Sequence, residues 1–229
     1  LGVWLTTTFY NLLSTTYIDG GISFFTFLAV MTLFENFFLS GLLLGFALST
    51  KYLAFFSAVG ILGMLLVRGC EGKSGGVREF LLWLSGCLMG SGYWILRNWV
   101  AAGNPFFPYF GSLFKSQMDR PATNHMLFGL GKSATDFILV FWNMFFHPDA
   151  FGSHATRIGI LYFLWFPFVV LGLLFVPRAR PYAIYSFLFL SLWFFLGQND
   201  RWLASALPVM AVTAGLGMHG FFERTSFQW

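Results

Sequence analysis

Long apolar runs broken by short polar connections set the terms for this chain: residues 21–34, 37–50, 52–67, 78–98, 158–176 and 182–220, the last interrupted at Gln198-Asn199-Asp200-Arg201. Only 10% of the 229 residues are charged, against about 25% in an average soluble domain. The pattern therefore predicts an all-α integral membrane protein, a polytopic bundle of about six to seven transmembrane or half-membrane helices. A soluble globular domain and a disordered chain are both excluded by the same arithmetic. Aromatic residues make up 21% (32 Phe, 9 Trp, 8 Tyr), which suits a surface facing lipid with rings at both interfaces. The formal charge of +4 reports orientation before it reports a nucleic-acid partner, and no basic stripe points to DNA or RNA.

A span needs about 20 residues, so 78–98, 158–176 and 202–220 qualify by length. Runs 21–34 and 37–50 have 14 residues each, about 21 Å at helical rise. They read as thin spans, tilted continuations or half-helices. Basic residues in the tight connections Arg68–Arg78 and Arg178–Arg180, with Arg224 beyond, mark the cytoplasmic side. Residues 99–156 then form one long outer loop of a single membrane domain covering 1–229. This topology places Asp19, Asp119, Asp136, Asp149 and Asp200 outside and Glu35, Glu71, Glu79 and Glu223 inside.

The outer loop opens with Asn104-Pro105-Phe106-Phe107-Pro108-Tyr109-Phe110, which cannot continue a helix. Phe137–Phe146 is apolar but too short to cross, so an interfacial or re-entrant helix is expected there. Gly41 with Gly45 and Gly86 with Gly90 sit at the spacing that lets helices approach closely, here within one bundle. Cys70 lies in a connection and Cys87 deep in an apolar run, too far apart for a disulfide.

Charged groups at membrane depth or at helix ends are costly and point to function. Asp19 precedes an apolar helix on the outer side, where a carboxylate can hold a divalent cation, accept a proton from a hydroxyl, or cap the helix. Lys51 separates two apolar runs; its ammonium either snorkels or meets an anion such as phosphate. Arg201 can grip phosphate bidentately or pair locally with Asp200. His147, Asp149 and His154 match no metal signature. The chain carries no GxSxG, HExxH or phosphate-binding glycine loop.

Tyr17-Ile18-Asp19, then Leu44-Gly45-Phe46-Ala47-Leu48-Ser49-Thr50-Lys51-Tyr52, Leu96-Arg97-Asn98-Trp99 leading into Gly103-Asn104-Pro105-Phe106-Phe107-Pro108, and Arg201-Trp202-Leu203 followed by Ala206-Leu207-Pro208 together resemble the bacterial polytopic glycosyltransferases of the GT-C class. These are relatives of the protein O-mannosyltransferases and lipid A aminoarabinose transferases. The resemblance covers roughly residues 10–220 in order. It implies inverting transfer of a sugar from a polyprenyl-phosphate-linked donor to an acceptor glycan, lipid or protein at the outer face of a bacterial inner membrane.

By this resemblance Asp19 is the catalytic acid near an acceptor or a Mg or Mn ion. Lys51 and Arg201 hold the donor phosphate. Arg97, Asn98, Asn104 and Asp200 complete the substrate-binding set, with Trp99 as a stacking surface. The family's first outer loop, with its own catalytic acid, is expected upstream of Leu1, which reads as an interior start. A secondary transporter or flippase, built around the break at Lys51, and a non-catalytic membrane subunit are the alternatives.

Overall fold

The computed structural model describes residues 18–72, 76–107, 110–114, 128–152 and 160–226. Within them every regular element is helical. Tyr17, Pro108, Tyr109, Lys115, Asp119, Arg120, His154 and Arg157 lie outside the described residues.

Helix α1 (Asp19–Thr32) and α2 (Phe37–Thr50) form an antiparallel hairpin. Asn36 starts α2 by accepting the Leu39 N–H on its side chain at 3.0 Å, satisfying one of the helix's orphan donors. Ser40 Oγ donates back to the Ala29 carbonyl of α1 at 2.6 Å. At Lys51 the backbone turns extended and a 3₁₀ turn, Tyr52–Ala54, leads into α3 (Phe55–Cys70). Helix α4 (Val77–Ala102) follows, closed by Gly103 in the left-handed conformation (φ 66°), its N–H on the Trp99 carbonyl.

The expected glycine pairs meet one another. A Cβ on Gly41 would stand 1.9 Å from the Trp83 carbonyl oxygen, and one on Gly86 2.2 Å from that of Phe38. Thus α2 and α4 run backbone to backbone, as small residues allow. Cys87 is buried on this seam and Cys70 is exposed, both as free thiols.

The expected interfacial helix 137–146 is two short pieces, α5 (Gly111–Phe114) preceding them in the chain: α6 (Ala134–Ile138), opened by a Ser133–Asp136 capping box, and α7 (Val140–Phe146). Val140, Phe141 and Met144 face the core, whereas Ile138, Trp142 and Phe146 are exposed. Helices α8 (Ile160–Phe175), α9 (Arg180–Leu196) and α10 (Leu207–Ser226) complete the fold, with a 3₁₀ turn, Asp200–Ser205, between the last two. The core centres on α9, where Tyr185, Phe189, Trp193 and Phe194 are fully enclosed. Gly60 and Gly63 of α3 leave room for Tyr185 and Leu188, and the Tyr185 hydroxyl donates to Ser57 Oγ at 2.9 Å.

Among the described residues one helix, Tyr52–Cys70, is long and apolar enough to cross a membrane. That differs from the expected assignment of 78–98 and 202–220; the run 158–176 lies partly outside the described residues. The 3₁₀ turn and the continuation through Arg68-Gly69-Cys70 lengthen the run that looked short. The 202–220 run is helical only from Leu207, because Asp200–Ser205 is wound as the 3₁₀ turn.

Candidate functional site

Asp19 is the first residue of α1 and is 2% exposed. It does not cap the helix: the N-cap position is Ile18, which makes no side-chain capping bond. Instead Lys51 Nζ donates to Asp19 Oδ1 at 2.9 Å, and Arg201 Nη2 donates to Oδ2 at 2.8 Å. Each cation keeps about a third of its side chain open, 32% and 33%.

Local structure explains the meeting. Asp19 and Ser23 lie one α-turn apart on one face of α1, and Arg201 and Ala204 lie one 3₁₀ turn apart. Ser23 Oγ donates to the Ala204 carbonyl at 2.9 Å, so the same two elements touch twice. The turn that presents Arg201 is locked in place. Asn199 Oδ1 accepts the Arg201 N–H at 3.1 Å, and Trp193 Nε1 donates to the Asn199 carbonyl at 2.7 Å. Gln198 Nε2 donates to the carbonyls of Gly131 and Phe194. The segment around Gly131 is thereby pinned to the Arg201 turn.

One carboxylate between two permanent or near-permanent cations leaves a net charge of one positive unit. Burial works against ionised Asp19, but hydrogen bonds from Lys51 and Arg201, together with their charges, outweigh it and hold the carboxyl below its ordinary range. Both oxygens are thus spent on cations. Among the described residues no three His, Cys, Asp or Glu gather where they could hold a metal ion. A single carboxylate with a cation on each oxygen is a poor donor set for Mg or Mn.

Lys51 also lines a cavity of about 320 Å³ with Leu48, Ser49, Thr50, Tyr52, Trp94, Asn98 and Phe107. Asn98 Nδ2 donates to the Tyr52 hydroxyl across the cavity wall. Arg97 is exposed and lies over the Trp94 ring, 5.0 Å from its centroid, so it braces an aromatic wall residue. Asn104 is wholly buried, its Oδ1 taking the Phe106 N–H at 2.9 Å in a turn. Asp200 is buried within its 3₁₀ turn. Trp99 is 62% exposed, away from the cavity lining.

Of the expected residues, the structure brings together Asp19, Lys51 and Arg201, with Asn98 joining Lys51 at the cavity. Sequence reasoning missed Trp94 and Tyr52. The signal for Trp94 was present: Gly86, Gly90, Trp94 and Asn98 continue one stripe at i+4 spacing. No family model, curated protein or solved structure matches this chain.

Proposed function

We propose that this chain is a polytopic integral membrane glycosyltransferase of GT-C type that seats the phosphate of a polyprenyl-phosphate-linked donor on Lys51 and Arg201 at the outer membrane face. The observation that carries the reading is the pairing of both cations, from distant parts of the chain, on one buried carboxylate while each stays partly open. Two cations with a surplus positive charge, one of them lining an open cleft, suit a phosphate.

The outer surface supports a lipid setting. Helix α4 exposes Val77, Leu81, Leu88, Met89, Leu96 and Val100. That apolar face extends about 35 Å at helical rise, against a hydrocarbon core of about 30 Å. Exposed apolar area on this scale marks a membrane or a large partner.

In the reaction, the acceptor hydroxyl oxygen bonds to the anomeric carbon as the bond from that carbon to the phosphate oxygen breaks. The electron pair leaves with the phosphate, and the hydroxyl proton passes to water. Negative charge grows on the departing phosphate, so Lys51 and Arg201 stabilise the transition state more than the ground state. Asp19 acts through them as a positioning residue.

The test is transfer by the full-length protein in proteoliposomes, using purified polyprenyl-phosphate-linked sugars and measuring released polyprenyl phosphate. Lys51→Ala and Arg201→Ala should each lower release at least tenfold. Release equal to the parent's in both variants contradicts the assignment; movement of the intact donor without release points to a flippase.

A further inference from the structure

The glycine seam fixes the register of α2 on α4. The two helices run parallel, with Gly41 against Gly86 and Gly45 against Gly90: a Cβ on Gly86 would stand 3.1 Å from the Gly41 carbonyl carbon, and one on Gly90 2.9 Å from the Gly45 Cα. Tyr52 keeps that register just past the end of α2, where its hydroxyl takes the Asn98 amide. One end of the pair is therefore flush, since Glu35 stands level with Phe80, close to Arg78 and Glu79 at the start of α4. The other end, outer in the proposed topology, is stepped. Helix α2 stops at Thr50, level with Ile95, whereas α4 runs on to Ala102, about 10 Å farther at helical rise.

Charge and exposure follow the step. The hairpin α1–α2 is bounded at its outer end by Asp19, Lys51 and Arg201 and at its inner end by Glu35 and Asn36. Each of its helices has 14 residues, about 21 Å, with Phe24 and Phe46 exposed in between. On the side of α4 turned away from α2, Leu81, Leu88, Met89, Leu96 and Val100 are exposed. They span about 29 Å, which matches a hydrocarbon core of about 30 Å; the hairpin falls short of it by about 9 Å. Arg97, the charge on α4 nearest the level of Lys51, lies over Trp94 on the cleft side, away from Leu96. A short helix meets a thicker bilayer by snorkelling, by oligomerising or by thinning the lipid around it. Snorkelling is closed to this cluster, because Lys51 Nζ and Arg201 Nη2 are both tied to Asp19, whose short stem keeps the carboxylate at the start of α1.

We infer that the hairpin α1–α2 is a lipid-facing surface that thins the outer leaflet beside it. Phospholipid headgroups and water dip there by about 9 Å, to the level of Asp19, Lys51 and Arg201, while the bilayer keeps its full thickness along the far side of α4. This deepens the membrane reading of the chain and rests on it. A phosphate borne by a lipid in the dipped surface lies level with Lys51 while its chain stays in hydrocarbon, so the cluster need not reach outward to meet it.

The experiment is nitroxide labelling of the full-length protein in dioleoyl phosphatidylcholine bilayers, with Cys70→Ser throughout and the buried Cys87 left in place. Single labels are carried on Thr50→Cys, Leu96→Cys, Phe46→Cys, Glu35→Cys and Arg78→Cys. Collision with molecular oxygen reports lipid, and collision with a nickel chelate reports water. The label at position 50 should meet the chelate at about five times the rate of the label at position 96, which stands at nearly the same level on α4. The label at 46 should meet oxygen, and those at 35 and 78 should both meet the chelate. Positions 50 and 96 equally shielded from the chelate mean a flat bilayer. Position 50 wet with 35 shielded means a rigid tilt of the helix pair. Position 46 shielded from oxygen means that protein, a second copy included, covers the hairpin. Each of these three results overturns the thinned leaflet and leaves the membrane reading standing. Chelate reaching 46 and 96 as freely as 50 overturns both.

Discussion

Arg201 reaches back across 182 residues of chain to donate to Asp19 Oδ2 at 2.8 Å, and so joins the start of the described chain to the turn between its last two long helices. Lys51 takes the other oxygen of the same carboxylate. Removing the charge at Asp19 leaves two cations facing each other. Breaking a buried ion pair costs about 3–5 kcal/mol, but the cations here are a third open to solvent, so the expected loss for Asp19→Asn is about 1–3 kcal/mol. Reversible unfolding in mixed detergent measures it. In an Arg201→Met background the same substitution should cost less, by about 0.5–3 kcal/mol; strictly additive losses would mean the pair contributes nothing.

The pH dependence of the same group has a definite sign. The folded-state carboxyl of Asp19 lies below its ordinary range, so its contribution is present above the unfolded value of about 3.9 and is lost as pH falls through the folded one. The difference in stability between parent and Asp19→Asn should therefore be flat from pH 8 to 5 and shrink below about 4. A difference that changes between pH 8 and 6 contradicts the pairing.

Two glycines of α4 separate packing from propensity. Gly86→Ala drives a methyl into the Phe38 carbonyl, whereas a Cβ on Gly92 meets nothing within 4 Å. Gly86→Ala should destabilise by about 1–3 kcal/mol, and Gly92→Ala should be neutral or stabilising by up to about 1 kcal/mol. Equal effects in a thermal melt would mean that α2 and α4 do not approach as described.

Sidedness is testable with a native thiol. Cys70, exposed beyond Arg68, and Ala101, exposed at the opposite end of the helices, belong to different membrane faces in the proposed topology. An impermeant maleimide should label Ala101→Cys in intact cells and Cys70 only after permeabilisation. Labelling of Cys70 from outside reverses the orientation.

Much of the helical layout was legible in the sequence. The run 37–50 coincides with α2 because Asn36 is a good cap and because the chain leaves the helix at Lys51. The paired glycines announced a close seam, and their partners proved to be each other. The ion cluster was not legible, since nothing local to Asp19 or Arg201 reveals that a 3₁₀ turn places them together. Arg201 looked as able to grip a phosphate as to pair with its neighbour Asp200, and its bond to Asp19 is a product of tertiary packing. Asn104 looked like a sugar contact because it is polar beside an interface, yet its burial and its bond to the Phe106 N–H make it a turn residue.

The claim on which the rest depends is that Lys51 and Arg201 together hold a lipid-borne phosphate. Its most direct measurement is calorimetric titration of the purified full-length protein with a short-chain prenyl phosphate and with the corresponding prenyl alcohol. The expected result is saturable binding of the phosphate, little or none of the alcohol, and at least a tenfold loss of phosphate affinity in both Lys51→Ala and Arg201→Ala. Phosphate and alcohol binding equally well, or either variant matching the parent, would contradict it.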